Sequence, residues 1–435
     1  MLDKSLGAVR RLIPRRIFAA LAPSYHWSLA FLAALIYGFP SRKIKVIAVT
    51  GTKGKSTTTE IISAALERAG RETALSNTIR YKIGDESFQN NYKMSMPGRF
   101  FAQRLISRAV KEGCQYLVME MTSQGSQQYR HRFIDLDTLV VTNISPEHIE
   151  AHGSYENYVQ AKLNIAANML KSKKAVRTII VNAEDGERSR FLEIPVENKI
   201  TYSLTDLEPY SVKTEGLEFT LAGRTIRCRL SGVFNLANIA AAWAALKIEE
   251  ISANDFIDAV ESLLVIPGRV QKIEPPTPTV RPMDFKVIVD YAHTPDSLEK
   301  LYQLFQGSEI IGVLGGTGGG RDSWKRAEMG RLADRYCSKI FLTDEDPYDE
   351  DPNKIVADVA AGIATHPPQI IMDRRQAIAA ALAEARPNSV VLITGKGTDP
   401  YIMGPKGSKV PWSDSEVALE ELMKLLNSWQ SPIVA

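Results

Sequence analysis

Cysteine is scarce in this chain of 435 residues: Cys114, Cys228 and Cys337 stand far apart, with no C-x-x-C pair. That argues for free thiols in a reducing compartment over a disulfide frame or a cysteine zinc site. Charge of one sign is also lacking, with 53 basic against 50 acidic residues and a formal net charge of +3, so no strong field points to nucleic acid or to an acidic partner. No apolar run is long enough to cross a bilayer; Trp27 to Phe39 has 13 residues, and a spanning helix needs about 20. What is there is an ordinary globular composition, 44% hydrophobic and 24% charged, at a length that exceeds one core and implies two or three domains.

Arg10, Arg11, Arg15 and Arg16 precede that apolar stretch in the manner of a signal peptide, but no small-residue cleavage pattern follows and Pro40 leads directly into a strand. Residues 1–43 are therefore expected to form a short helical segment packed on the next domain. The competing reading is a peripheral membrane contact through residues 1–40.

Residues 44–58 combine a buried strand, a glycine turn, Lys55, Ser56 and a helix start. Gly51 and Gly54 let backbone N–H groups converge on phosphate oxygens, with the positive helix end behind them and the Lys55 ammonium in front. Ser56 can then hold Mg2+. The spacing G-x-x-G-K-S is shorter than G-x-x-x-x-G-K-[ST], but the strand–turn–helix context is right, so Gly51, Thr52, Lys53, Gly54, Lys55, Ser56 and Thr57 are the expected ATP loop.

Beyond it, apolar runs 115–121, 138–144 and 178–182 alternate with helical patterns, predicting a parallel α/β sheet. Residues 210–230 read as inserted antiparallel hairpins around Gly216 and Gly223, before a helix near Phe234. Pro267-Gly268-Arg269 and a proline-rich loop 274–282 break the pattern, and runs 286–289, 310–314, 339–342 and 390–393 then predict a second, Rossmann-like doubly wound sheet. The expected fold is thus α/β: a P-loop-type central ATPase domain with a parallel sheet, 44–267, a C-terminal Rossmann-like domain, 268–435, and the short helical N-terminal segment. The turn Gly315–Asp322 lacks the G-x-G-x-x-G spacing and reads as a tight ligand-facing loop rather than a dinucleotide site.

A second constellation adds chemistry. Glu120 ends an apolar strand, where parallel sheets place ligand-facing residues, and its carboxylate can hold Mg2+. His148 follows another strand end, and Lys162 lies on an amphipathic helix. An unmodified lysine ammonium is a poor neighbour for Mg2+.

Five ordered blocks resemble the Mur ligase family, most closely its MurE type: Gly51–Thr58, Asn143-Ile-Ser-Pro-Glu-His148 through Lys162, Gly232-Val-Phe-Asn235-Leu-Ala-Asn238, Asp290-Tyr-Ala-His293-Thr-Pro-Asp296 and Gly395-Lys-Gly397. The resemblance implies ATP-dependent formation of an amide bond. The ATP γ-phosphate passes to a substrate carboxylate, and the amine of an incoming amino acid attacks the acyl phosphate. It implies catalytic roles for Lys55, Glu120, His148 and Lys162. Lys162 would be carboxylated by CO2 to a carbamate, with Mg2+ held by Ser56, Glu120, His148 and that carbamate. Asn235, Asn238, Arg269, Asp290 and His293 are the further nucleotide-side residues. Ser95, Met96, Pro97, Thr122 and Ser123 fall on the acceptor side, and Arg326, Asp346, Gly395 and Asp399 on the amino-acid side. Arg326 is the candidate for the incoming α-carboxylate, because a guanidinium grips that fork bidentately. Partners would be a sugar-peptide acceptor and an amino acid, without nucleic acid, in a cytoplasmic monomer.

The chain departs from the pattern in places. About 43 residues precede the ATPase domain, where MurE-type enzymes usually carry a full uridine-binding domain. Ser95-Met96-Pro97 and Gln124 alter the acceptor side, suggesting an acceptor held differently. Glu345-Asp346-Pro347-Tyr348 loses the arginine of diaminopimelate-adding enzymes, and the acidic run Asp344, Glu345, Asp346, Asp349, Glu350 suits an ammonium, which favours a basic amino acid such as lysine. Thr398-Asp399 follows Gly397 where the family has His-Glu. Two other readings stand beside this one: a folylpolyglutamate-synthase-like or other peptide ligase of the superfamily, and a P-loop ATP-binding or regulatory protein that ligates nothing.

Overall fold

The computed structural model describes residues 15–213, 216–263, 265–276, 283–320 and 323–428, with side chains from Leu21 onward. Most of the expected proline-rich loop, residues 277–282, lies outside the described residues, as do Arg10 and Arg11. The chain divides into two compact units. The first comprises residues 1–147, 155–206 and 237–259; the second comprises 148–154, 207–236 and 260–435.

The first unit opens with the helix Arg15–Ile36. Its sheet has eight strands: β1 Lys45–Thr50, β2 Thr73–Ser76, β3 Arg80–Ile83, β4 Glu86–Gln89, β5 Tyr116–Glu120, β6 Thr138–Val141, β7 Thr178–Asn182 and β8 Asn198–Tyr202. They lie in the order β4-β3-β2-β5-β1-β6-β7-β8, parallel from β2 to β8, with β3 and β4 added antiparallel at the edge. β1 is central and buried from Val46 onward, which is why it reads as an uninterrupted apolar run. The edge hairpin was not expected from sequence: β4, Glu-Ser-Phe-Gln, is exposed along its length and carries no core signal.

In the second unit, β9 Tyr210–Lys213, β10 Gly216–Leu221 and β11 Arg224–Cys228 form the expected antiparallel sheet. Gly216 is required in it, since a Cβ there would lie 2.2 Å from the Cys228 carbonyl oxygen. A second sheet contains β12 Gln271–Lys272, β13 Lys286–Asp290, β14 Glu309–Leu314, β15 Lys339–Leu342, β16 Gln369–Ile370 and β17 Ser389–Thr394, in the order β12-β13-β17-β14-β15-β16. Only β12 is antiparallel. Alternation along its strands feeds two cores. Ile288, Ile310 and Leu314 join one cluster with Tyr302 and Met329, while Val287, Val289, Ile311 and Val313 join another with Ile378, Leu382 and Leu422. A sheet covered on both faces in this way is doubly wound.

Candidate active site

At the C-terminal end of β1 the chain turns through Gly51 and Gly54, at φ +147 and +84, into the helix Lys55–Arg68. Neither glycine is replaceable: a Cβ on Gly51 would lie 1.9 Å from Thr142 Oγ1, and one on Gly54 2.1 Å from Asn238 Oδ1. Asn143 clamps the turn. Its side-chain oxygen accepts from Lys53 N at 2.9 Å, its amide donates to Lys53 O at 3.0 Å, and its carbonyl accepts from Thr52 N at 2.7 Å. Gly54, the residue before that helix, makes no side-chain cap, and the positive helix end faces the turn.

Two lysines converge on this turn. Lys55 Nζ donates to Gly51 O at 2.9 Å and to Thr52 O at 2.8 Å; Lys162 Nζ, from the helix Tyr155–Asn168, donates to Gly51 O at 2.7 Å. Lys162 is fully buried, lies over the Tyr158 ring, and has an amine held well below the ordinary lysine range. Burial is the main cause, followed by the Lys55 charge, with Lys53 adding to it and Glu147 opposing. Tyr158 is fixed in turn by a 2.8 Å hydrogen bond between its hydroxyl and Thr52 Oγ1.

Glu120 ends β5 in register with Val49 of β1, one strand over from the turn, and is fully buried. Thr78 orients its carboxylate. Thr78 donates its N–H to Oε1 at 3.2 Å and its hydroxyl to Oε2 at 2.9 Å. That hydroxyl also lies 2.6 Å from Ser95 Oγ, so the expected acceptor side and the expected metal carboxylate meet at Thr78. Met96 packs over the start of the helix Ser123–Gln127, its sulfur accepting from Thr122 N at 3.3 Å, while Thr122 Oγ1 caps Gly125 N. Arg130 donates to Met96 O and holds that segment down. The structure thus brings together Glu120, Ser95, Met96, Thr122 and Ser123; Pro97 follows, partly exposed. Thr78 and Arg130 went unnoticed in the sequence because neither lies in a motif, whereas Tyr158 opens the run that ends at Lys162 and was given no role of its own. Only the aromatic four positions before Lys162, on the same helix face, gave a signal.

His148 opens a short turn at φ +57 that belongs to the second unit. Asn238, on the helix Val233–Ile248, reaches the loop helix, where Thr58 Oγ1 lies 3.4 Å from its Oδ1. Asn235, on the same helix, is buried and donates to Ser231 O at 2.8 Å.

In the second unit the C-terminal strand ends form another cluster. Asp290 accepts from Val270 N and Ala292 N, both at 2.7 Å, so it ties the Gly268–Val270 turn to the loop carrying His293. Arg269 stacks on Tyr291, and His293 Nδ1 lies 2.7 Å from Tyr291 O. A Cβ on Gly268 would lie 2.7 Å from the backbone of Gly397 and Thr398, so Arg269, Asp290, His293 and the Gly395–Gly397 loop share one edge. Lys396 is fully buried and bonds Asp346 at 2.8 Å and Tyr401 O at 2.7 Å, with Asp399 at 3.6 Å. Glu345 accepts from Thr317 Oγ1 at 2.8 Å; its second oxygen is buried without a hydrogen-bond partner, and burial pushes its carboxyl upward.

Arg326 is placed otherwise than a substrate clamp requires. Its guanidinium is buried and already engaged by Glu350 at 2.7 Å, Asp358 at 2.8 Å and Thr317 O at 3.1 Å. Glu350 comes from the acidic run, so part of that run is neutralised internally.

Residues 49–246 match the Mur ligase middle domain, and residues 268–397 match the Mur ligase glutamate ligase domain. A UDP-N-acetylmuramyl-tripeptide synthetase of Roseiflexus sp. (strain RS-1) is 34% identical over 94% of this chain and 84% of its own length. The chain belongs to the Mur ligase family. It is an ATP-dependent, ADP-forming amino-acid ligase. A UDP-N-acetylmuramoyl-L-alanyl-D-glutamate–2,6-diaminopimelate ligase of Bacillus cereus is 32% identical over 92% of this ligase and 82% of its own length. A solved ligase of that same description superposes with TM-score 0.58 at 26% identity, covering 88% of this chain and 79% of the other. E. coli FolC with ADP gives TM-score 0.64 at 18% identity over 93% and 94% of the two chains, a likeness of fold alone.

The residues of this ligase fit its nucleotide. The turn offers an uncapped helix end, two converging lysines and glycines that allow close approach. Among the described residues no group of three or more His, Cys, Asp and Glu side chains is gathered for a metal. Mg2+ in such sites keeps several waters and binds through one or two carboxylates plus the phosphates, and Ser56 and the oriented Glu120 carboxylate suit that role.

Proposed function

We propose that this ligase adds a basic or diamino amino acid to the terminal carboxylate of a muramoyl-dipeptide-like acceptor through an acyl phosphate. The observation that carries the reading is the convergence of Lys55 and buried Lys162 on Gly51 O. Lys55 neutralises phosphate charge as the γ-phosphoryl group leaves ATP. Lys162 is held toward its neutral form, and the neutral amine is the form that adds CO2, giving a carbamate with release of one proton. Ser56, Glu120, His148 and that carbamate would hold Mg2+, which when bound supplies charge neutralisation to the transferring phosphoryl group.

On the acceptor side we assign Ser95, Met96, Pro97, Thr122 and Ser123, with Arg130 holding their segment. On the amine side we assign Glu345, Asp346, Gly395 and Asp399. The unpartnered Glu345 oxygen supports an ammonium as the incoming group. Arg326 we assign to positioning the Thr317 loop through Glu350 and Asp358. We place the enzyme in the cytoplasm as a monomer, with residues 1–40 in peripheral contact with a membrane.

The test is ADP release with ATP and Mg2+ on UDP-N-acetylmuramoyl-L-Ala-D-Glu, with lysine, diaminopimelate, ornithine or no amino acid in parallel. Turnover that requires a diamino acid is expected. Turnover only with a folate acceptor and glutamate would overturn the substrate assignment. A carbamate adds the mass of one CO2 to the peptide bearing Lys162 when trapped by alkylation.

A further inference from the structure

Asp3 and Glu60 are consecutive acids in the sequence: from Lys4 to Thr59 there is none, against Lys4, Arg10, Arg11, Arg15, Arg16, Arg42 and Lys43 ahead of β1. Within that stretch lies the helix Arg15–Ile36, and its burial divides by face. At 100° per residue, the buried Ala30, Ala33 and Ala34 fall on one side. The exposed Leu21, Ser24, Trp27, Ser28, Phe31, Leu32, Leu35 and Ile36 fall together on the other, with exposed Pro23 on the side of the alanines. Six of these eight are large and apolar. Leu35 and Ile36 are 54% and 60% exposed, and the Trp27 and Phe31 rings stack at 5.5 Å. Single exposed apolar side chains need no explanation, but a contiguous stripe of them does.

We propose that this face docks on an anionic lipid membrane surface. The inference deepens the peripheral contact assigned above and does not depend on the ligase substrate. An apolar stripe with an indole, preceded in sequence by arginines and followed by exposed Lys43 and by Arg42, which pairs with Asp135 at 3.1 Å, combines the apolar and basic residues that an interfacial helix uses. A second copy of the chain would have to meet the same cationic ends with its own, which like charges disfavour. No described helix is long and apolar enough to cross a membrane, so the helix lies on the surface.

The opposite side of the helix says what docking achieves. His26 Nδ1 lies 2.6 Å from Arg99 Nη2, and Arg99 also donates to Gln128 O. The N-terminal helix packs on the helix Arg99–Lys111, which begins directly after Ser95-Met96-Pro97. Docking therefore sets the acceptor side of the first unit about one helix diameter, ~10 Å, from the lipid surface.

The full chain is sedimented with sucrose-loaded vesicles of phosphatidylcholine, with or without phosphatidylglycerol, at low and high salt. We expect binding at least about thirtyfold stronger to the anionic vesicles, as each basic residue near the surface adds roughly 1 kcal/mol and Arg15 and Arg16 alone supply two such increments, and weaker binding at high salt. The combined variant L32E/L35E/I36E is expected to lose vesicle binding while retaining ATP binding, which reports a folded first unit. R15Q/R16Q is expected to reduce only the preference for phosphatidylglycerol. No binding to either vesicle overturns the proposal, as does a triple variant that still sediments. A dimer that dissociates in the triple variant without any vesicle binding assigns the face to a second copy and overturns it too.

Discussion

The two strand-end clusters treat charge in opposite ways. Around Gly51, Lys55 and Lys162 donate to backbone carbonyls, and Lys53 pairs with Glu147 at 2.9 Å. At the edge of the second sheet, charges neutralise one another: Arg374 with Asp414 at 2.7 Å and Lys396 with Asp346 out of water, and buried Arg326 with the half-exposed Glu350 and Asp358. The first cluster gathers lysines on the backbone of the turn, with Lys162 held toward its neutral form. The second is a self-compensated scaffold whose unpaired oxygen on Glu345 marks the place for a cation. Removing a lysine from the first should therefore cost activity, and removing a charge from the second, stability.

Lys162→Ala is the strongest test of the first half. We expect kcat to fall about a thousandfold or more, about 4 kcal/mol in the barrier, with the fold intact and partial rescue by added formate or acetate. Ordinary activity in that variant would remove Lys162 from the chemistry and erase the contrast.

Asp414→Asn tests the second half. Asp414 is fully buried and bonds Arg374 Nε at 2.8 Å as well as Nη2. Breaking a buried pair from one side leaves a charge stranded and costs about 3–5 kcal/mol. The exposed pair Lys300–Asp296 serves as control, since such pairs contribute about 1 kcal/mol or less. Denaturant unfolding compares Asp414→Asn with Asp296→Asn, and equal losses would contradict a scaffold held by its buried pairs.

pH separates the clusters as well. The folded state holds Lys162 below its unfolded pKa, so the unfolded chain binds the extra proton below about 10.5. Stability at this site is present above that value and is lost as pH falls through the window down to the depressed pKa. Glu345 is raised, so its contribution is full below the ordinary carboxylate range and is lost as pH rises. In CO2-free buffer, unfolding free energy should climb between pH 7 and 10 by up to about 1.4 kcal/mol per pH unit from Lys162. Lys162→Met should flatten that slope, while Glu345→Gln should leave it unchanged.

What could be read in the sequence followed the range of the interaction. The turn Gly51–Ser56, both parallel sheets and the placing of Glu120 at a strand end are local patterns of burial and glycine. Arg326 shows the limit. A basic residue at a helix start looks available until residues 24 and 32 positions onward, Glu350 and Asp358, are folded onto it. The Arg374–Asp414 pair spans 40 positions, and no period or motif announces it. The edge strand β4 is exposed along its length and has no burial to signal, yet the turn before its partner β3 carries Thr78.

Thr78 gives the finest test, because it belongs to the first cluster yet bears no charge. Its N–H and hydroxyl both reach Glu120, and its hydroxyl also meets Ser95. Thr78→Val keeps the shape and the N–H and removes one hydrogen bond to a buried carboxylate, a loss of about 1.5 kcal/mol or more, roughly tenfold. If Thr78 positions Glu120 toward a metal, that factor should appear in the Mg2+ concentration giving half-maximal activity and in Mn2+ affinity measured by electron paramagnetic resonance without substrates, with Thr78→Ser close to wild type in both. A loss confined to thermal stability, with metal dependence unmoved, would make Thr78 a structural residue of the β2–β3 turn. The uncharged part of the cradle would then matter only for folding, as in the second unit.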